Sequence, residues 1–209
     1  MNEEIKISVN GVYLKGILNL PEKVSGLVVF SHGSGSGRFS PRNNFVAEVL
    51  HKAGIGTLLL DLLTPQEDKI YENRFDIDLL TSRLLSTITW VREQSQTEQL
   101  NLGLFGASTG AASALNTAAI VGNKIKAVVS RGGRPDLAQQ NLDKVLAPTL
   151  LIVGAKDEAV LTLNQQALRK LKTIKKLEII PEATHLFEEP GRLEEVARLA
   201  TEWFKQYLI

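Results

Sequence analysis

The 209-residue sequence has no cysteine and only three histidines, His32, His51 and His185. Without cysteine there is no disulfide, no thiolate metal ligand and no cysteine nucleophile. So few histidines also argue against a histidine-rich metal site, and we expect no bound metal. Any histidine that acts as a catalytic base must be one of these three.

Long apolar runs and an excess of one charge are also missing. No apolar stretch reaches the roughly 18 residues of a membrane span, and residues 1–6 lack the apolar segment of a secretory signal. The formal net charge of +1 gives no electrostatic argument for nucleic acid or an anionic membrane. We therefore expect a cytoplasmic globular protein without nucleic-acid or membrane partners. The length favours a single domain over residues 1–209.

The pattern of apolar residues predicts an α/β fold with a mostly parallel, doubly wound sheet. Asn10-Gly11 joins two alternating runs, residues 4–9 and 12–19, and this predicts an antiparallel hairpin at one edge. Beyond it, apolar runs alternate with segments of helical periodicity. The predicted strands are residues 26–31, 56–61, 101–105, 126–130, 148–153 and 176–180. The predicted helices are residues 43–52, capped by Asn43 or Asn44, then 75–94, 109–121, 161–171 and 192–207, with a loop at 62–73 and a weak helix near 137–142.

One stretch organises the rest of the chain. Residues 102–112 read as an apolar strand, a Gly-x-Ser-x-Gly turn and a helix of small residues. This is the context of a nucleophile elbow, in which a serine projects from a strained turn and its neighbours must be nearly free of side chain. Gly106 and Gly110 would supply that space around Ser108.

Two further residues follow predicted strand ends, where active groups gather in an open α/β sheet. Asp157 comes after the strand at 148–153, and His185 comes after the last strand. The order Ser, Asp, His predicts a catalytic triad in which His185 is the base and Asp157 orients it. The backbone N–H of Thr109 and the loop after Ser31 would form the oxyanion hole, with Ser34 the preferred donor and Gly33 the second choice.

The glycine-rich loop at 33–37 has a second interpretation. A strand, such a loop and an acid at the next strand end, Asp61, resemble a dinucleotide site. Its third glycine should stand at position 38, which is Arg38. The dinucleotide interpretation also gives no role to the Gly-x-Ser-x-Gly turn, to Asp157 or to His185. His32 would instead support the loop through hydrogen bonds, and His51 would lie on the surface.

Two arginines, Arg38 and Arg42, follow the glycine-rich loop, and two more, Arg131 and Arg134, follow a strand end. They are either surface charges in ion pairs or ligands for substrate. Under the second interpretation, Arg38 or Arg131 would reach the pocket, with Gly33 beside it, and pair with an anionic group.

The sequence resembles the α/β-hydrolase superfamily and, within it, the small bacterial dienelactone-hydrolase-like proteins. Residues 31–38, 105–112, 130–137 and 183–187 carry the resemblance. It implies the α/β-hydrolase fold and cleavage of a small ester or lactone without metal or organic cofactor. Some members of this group are joined to a phosphoribosyltransferase domain. Dienelactone hydrolases proper use cysteine where this chain has Ser108, so a serine esterase is the expected variant.

Only residues 131–147 separate two successive strands where many such hydrolases carry a lid. We therefore expect no substantial lid and an open, shallow site. A non-catalytic binding or regulatory protein on a hydrolase scaffold is a second candidate function, and acyl transfer is a third. Monomer and homodimer both remain open.

Overall fold

The computed structural model describes residues 2–138 and 140–208, and its centre is one eight-stranded sheet in the order β1-β2-β4-β3-β5-β6-β7-β8. The strands are β1 Asn2–Val9, β2 Val12–Asn19, β3 Leu27–Ser31, β4 Gly56–Leu60, β5 Leu102–Ala107, β6 Ile125–Arg131, β7 Thr149–Gly154 and β8 Lys175–Ile180. The β1–β2 hairpin lies at one edge, with β2 antiparallel to β4, and the remaining pairs are parallel. The predicted fold class and the predicted hairpin are confirmed.

Helices cover both faces of this sheet, because its central strands are buried throughout and need an apolar layer on each side. They are α1 Pro41–Lys52, α2 Ile77–Glu93, α3 Thr109–Val121, α4 Glu158–Lys170 and α5 Arg192–Leu208. Apolar side chains of α2, α3 and α4 form the core on one face. Those of α1 and α5 form the core on the other face.

Two helices begin earlier than the sequence predicts. Helix α1 starts at Pro41, and its N-cap is Ser40, whose hydroxyl accepts a hydrogen bond from the Asn43 N–H at 3.4 Å. The predicted cap at Asn43 or Asn44 was wrong because serine followed by proline is itself a helix start. Helix α4 starts at Glu158 instead of residue 161. Its N-cap residue, Asp157, makes no side-chain cap bond, because its carboxylate is engaged elsewhere.

Two segments contain short 3₁₀ helices where the sequence suggests other structure. The predicted loop at 62–73 includes Glu67–Lys69 and the start of Tyr71–Phe75. Within the weak helix predicted near 137–142, position 139 lies outside the described residues, and Pro135–Ala138 and Leu142–Lys144 on either side of it are 3₁₀ helices. In the described part of the chain between β6 and β7, these turns are the only helical structure, and no lid domain is inserted there. None of the helices described is long and apolar enough to cross a membrane.

Candidate active site

The turn between β5 and α3 has strained geometry at its serine. Ser108 has φ 51° and ψ −121°, a region that residues with a side chain rarely adopt. A Cβ atom added to Gly106 would lie 2.4 Å from the Ala111 Cα atom. A Cβ atom added to Gly110 would lie 2.2 Å from the Ser31 carbonyl oxygen. The packing of this turn therefore requires both glycines.

Neighbouring segments hold the strained turn in place. The Ser108 N–H donates a hydrogen bond to the Arg131 carbonyl at 3.2 Å, and the Ser108 carbonyl accepts one from the Arg134 N–H at 3.1 Å. Behind the turn, the hydroxyls of Ser31 and Ser113 are 2.7 Å apart, and Ser113 also donates to the Gly110 carbonyl at 3.0 Å. Bonds of this kind are needed because an unfavourable backbone conformation persists only when its surroundings fix it.

A histidine and an aspartate meet beside this turn. The Nδ1 atom of His185 lies 2.6 Å from Oδ2 of Asp157, and the two side chains are 38% and 15% exposed. A Cβ atom added to Gly132, the residue after Arg131, would lie 3.4 Å from the His185 Cε1 atom. The imidazole is thus close to the segment that binds Ser108. Within the described residues, no hydrogen bond joins the Ser108 hydroxyl to the His185 ring.

The loop that carries His185 is anchored to its surroundings by backbone groups. The Lys156 N–H donates to the Ala183 carbonyl at 2.9 Å, and the Thr184 N–H donates to Oε1 of Glu189 at 3.0 Å. Hydrogen bonding to Thr184 lowers the pKa of the Glu189 carboxyl, so this residue is a negatively charged acceptor at neutral pH. Phe187 is buried and adopts a positive φ of 57°, a backbone conformation that its packing must hold. These contacts fix the position of the imidazole beside Asp157.

Two residues that carry predicted oxyanion donors line a narrow pocket next to the serine. A Cβ atom added to Gly33 would lie 3.1 Å from the Ser108 Cβ atom, so the glycine loop passes directly over the turn. Gly33, Ser34 and Thr109 line a pocket that has room for about one water-sized group. Among the residues described, no acceptor binds the N–H of Ser34 or of Thr109. The predicted oxyanion donors therefore line one pocket and have free N–H groups.

Residues 42–208 match the sequence profile of the dienelactone hydrolase family. The chain belongs to the dienelactone hydrolase family. It is similar over its whole length to a dienelactone hydrolase from Anabaena variabilis, whose crystal structure is 52% identical, has a TM-score of 0.97 and is covered to 99%. The fold is also that of Est1E from Butyrivibrio proteoclasticus, with 18% identity, a TM-score of 0.84 and coverage of 97% of this chain and 98% of that one. Family and neighbours together support a hydrolase.

The chain is also similar to two curated proteins from strains of Mycobacterium tuberculosis, each named as a phosphoribosyl transferase. Each is 54% identical over 207 residues, which are 99% of this chain. The same residues are 47% of the mycobacterial proteins. The chain therefore spans about half the length of the curated relatives it matches.

In this member of the dienelactone hydrolase family, His32 supports the glycine loop and lies outside the His185–Asp157 pair. Its Nε2 atom accepts a hydrogen bond from the Leu62 N–H at 3.0 Å, and Nδ1 therefore donates to the Gly33 carbonyl at 2.9 Å. Burial lowers the pKa of His32, so the ring is neutral at physiological pH. His51 is half-buried in the last turn of α1.

The structure places Arg38 against Asp61. The carboxylate accepts a hydrogen bond from the Arg38 N–H at 2.7 Å and another from the Arg38 guanidinium. The guanidinium also lies 4.2 Å from the ring centre of Phe39. Asp61 thereby holds the end of the glycine loop, a role that we missed in the sequence. The sequence does show that Asp61 follows a predicted strand, but we interpreted that position only as the acid of a dinucleotide site.

Arg131 differs from Arg38, because its guanidinium has no partner among the described residues. The residue is 8% exposed, and its Nη1 atom is buried without a hydrogen bond. Burial, together with the smaller effect of the positive charge of Arg42, lowers the pKa of Arg131 to about 10. Arg42 itself pairs with Glu188 at 2.9 Å. The site therefore contains two neighbouring arginines and one carboxylate at its rim.

Proposed function

We propose that this protein is a serine hydrolase that cleaves small esters or lactones through an acyl-enzyme on Ser108. The observation that carries the proposal is the 2.6 Å contact between His185 Nδ1 and Asp157 Oδ2 beside a strained Ser108. A serine hydroxyl is a weak nucleophile at neutral pH and needs an adjacent base that is itself oriented. Family membership supports the reaction class.

In the acylation step, Nε2 of His185 takes the proton of the Ser108 hydroxyl as its oxygen attacks the ester carbonyl. Asp157 fixes the proton of the imidazole on Nδ1 and stabilises the imidazolium that forms. The imidazolium then gives its proton to the departing alcohol oxygen, which leaves an ester between the acyl group and Ser108. We expect the Ser108–His185 hydrogen bond to tighten when substrate binds, as catalytic bonds often do.

In the deacylation step, His185 takes a proton from water, whose oxygen attacks the acyl-enzyme. The acid product leaves, and the proton returns to the Ser108 oxygen. In both steps negative charge develops on the carbonyl oxygen, and the free N–H groups of Ser34 and Thr109 are suitable donors for it. The narrow pocket that these residues line has room for about one water-sized group, which is the size of a single carbonyl oxygen.

Acyl transfer to another acceptor uses the same acyl-enzyme, and a scaffold that only binds would need none of these groups. The phosphoribosyl transferase name is given to proteins about twice as long, of which this chain matches 47%. We assign no phosphoribosyl transfer to the part that it matches. A product assay with competing alcohols separates hydrolysis from acyl transfer.

The first test is labelling by a fluorophosphonate probe, which reacts only with an activated serine. We expect the parent to be labelled and Ser108→Ala and His185→Ala to remain unlabelled. Ser95→Ala removes an exposed hydroxyl from the connection between α2 and β5, at the opposite end of β5 from Ser108, and should be labelled like the parent. A well-folded parent that resists the probe, or labelling that survives in Ser108→Ala, would contradict the proposal.

A further inference from the structure

Strand β8 is an open edge of the sheet. Within the described part of the chain its only neighbouring strand is β7. The carbonyls of Ile174 and Ile180 point toward β7, where they accept hydrogen bonds from the N–H groups of Thr149 and Ala155 at 2.8 and 2.9 Å. Backbone groups alternate in direction along a strand. Three residues therefore point their N–H and C=O groups away from the sheet: Lys175, Leu177 and Ile179.

The usual devices that block an open edge are missing from β8. Such edges are protected by proline, by a bulge or by lysine side chains that meet an incoming strand. The strand contains no proline, and its register with β7 runs without a shift. The Lys175 ammonium turns back to donate to the Leu171 carbonyl. Lys176 forms an ion pair with Glu178 of the same strand at 2.5 Å.

Apolar surface accompanies this open backbone. Ile174 and Ile179 are 60% and 42% exposed. Beside the strand, a cleft of about 310 Å³ separates β8 from α5, and Trp203 and Tyr207 line it. The centres of these two rings are 4.9 Å apart. A partner that adds a strand to β8 would cover apolar groups as well as backbone groups.

A second copy of the chain fits this edge in one register. Two β8 strands related by a two-fold axis are antiparallel, and their hydrogen bonds join residues whose backbone groups point outward. For the pairings that overlap most, the axis passes through Lys176, Leu177 or Glu178. An axis at Lys176 places two lysines opposite each other, and an axis at Glu178 does the same with two glutamates, which is unfavourable. An axis at Leu177 places Lys176 of each copy opposite Glu178 of the other.

The axis at Leu177 also satisfies the backbone best. It pairs Leu177 with its own copy and Lys175 with Ile179, so every outward-facing residue of β8 finds a partner within β8. Lys176 and Glu178 then occupy the positions without backbone hydrogen bonds, where the side chains of two strands are closest. Charge pairing and hydrogen bonding thus select the same register.

We propose that this protein forms a homodimer in which two β8 strands pair antiparallel about a two-fold axis at Leu177. The contact is isologous, and it joins the sheets of both copies into one. Because a strand pair alone buries little surface, the exposed Ile174 and the rim of the cleft must also be covered. The pairing gives β8 a neighbour on both sides, and β8 leads directly into the loop that carries His185.

The first test reverses charges and measures the dimer dissociation constant by analytical ultracentrifugation. We expect Lys176→Glu and Glu178→Lys each to raise this constant by about tenfold or more, because each places like charges opposite each other twice. The double variant restores both pairs with opposite signs and should return toward the parent. Lys6→Glu, at an exposed lysine of β1 on the other edge of the sheet, is the matched control and should dimerise like the parent.

The second test uses the absence of cysteine, since Leu177→Cys introduces the only thiol of the chain. In the proposed register the Cα atoms of the two substituted residues lie about 5.5 Å apart, which a disulfide can span. Oxidation should therefore give a covalent dimer. Ile179→Cys is the matched control on the same strand, because its two copies would lie about 13 Å apart and should remain unlinked.

Several results would overturn the proposal. One is a parent that stays monomeric up to about 0.1 mM. Another is a dimer that neither charge reversal weakens, which would place the contact on a different surface. Covalent dimers from Ile179→Cys and none from Leu177→Cys would refute the register. If Leu177→Cys fails to fold, the charge reversals decide the question, and a double variant that remains as weak as the singles refutes the pairing.

Discussion

Asp61 accepts two hydrogen bonds from Arg38, one from its main-chain N–H at 2.7 Å and one from its guanidinium. A Cβ atom added to Gly37 would lie 2.6 Å from the same carboxylate, so the loop packs closely against it. The other end of the loop is held by His32, through Gly33 and Leu62. The glycine loop over Ser108 is therefore fixed at both ends by residues that follow β3 and β4.

The first prediction concerns this loop. Asp61→Ala removes both bonds to Arg38 and should lower kcat by about tenfold or more, with a smaller effect on KM, because a misplaced oxyanion donor acts mainly in the transition state. Asp61→Asn keeps an acceptor for the N–H and should lose less. Steady-state kinetics on a short neutral ester measure both values. Asp143→Asn, which alters an exposed pair with Lys172, is the control. Parent-like kcat in Asp61→Ala would contradict the role.

The second prediction concerns the acid that orients His185. Asp157→Asn replaces an anion with an amide that cannot stabilise the imidazolium and favours the wrong tautomer. The rate of probe labelling and kcat should both fall by about 1,000-fold or more, while stability changes little. Asp136→Asn, beside Arg134, is the control and should retain most activity. A loss of less than about tenfold in Asp157→Asn would argue against the triad.

The third prediction concerns the packing of the strained turn. Gly110→Ala places a methyl group 2.2 Å from the Ser31 carbonyl oxygen, and the free energy of unfolding should fall by about 3 kcal/mol or more. Gly191→Ala is a matched control, because its φ is 79° and nothing lies within 4 Å. Its free energy of unfolding should fall only by the cost of a left-handed backbone conformation in a residue with a Cβ atom, about 1–2 kcal/mol. Urea denaturation of both variants measures the difference, and equal losses would contradict the steric explanation.

The fourth prediction concerns pH and His32. Burial lowers the pKa of this histidine below its ordinary value of 6.5, so the unfolded chain binds a proton at a higher pH than the folded one. The free energy of unfolding should therefore fall as the pH drops below 6.5. His32→Gln keeps a hydrogen-bond donor and an acceptor but cannot titrate. The stability of this variant should therefore fall less steeply than that of the parent as the pH drops below 6.5. Tm measured from about pH 8 to about pH 5 gives the comparison, and identical slopes would refute the assignment.

Local rules explain why much of this fold is readable from the sequence. The Asn10-Gly11 turn, the buried strands and the glycines around Ser108 each follow from steric requirements within a few residues. Asp157 and His185 each follow a predicted strand in the sequence, and the structure brings their side chains into contact.

Long-range pairing explains what the sequence does not show. Arg38 and Arg131 are equivalent candidates in the sequence for binding an anionic group, but Asp61 neutralises only the first. Helix α4 begins directly after Asp157 without a side-chain cap, because that carboxylate binds His185. These outcomes depend on which groups meet in space, and residue spacing along the chain contains no such information.

The elbow restricts how this protein can be engineered. Gly106 and Gly110 have no space for a methyl group, and Ala107 is 1% exposed, so a randomised library should recover all three whatever substrate is used for selection. Thr109 is different, because its buried hydroxyl has no hydrogen-bond partner among the described residues and it lines the narrow pocket. We therefore expect variation at this single position to change the shape of the pocket beside the proposed nucleophile without rebuilding the turn.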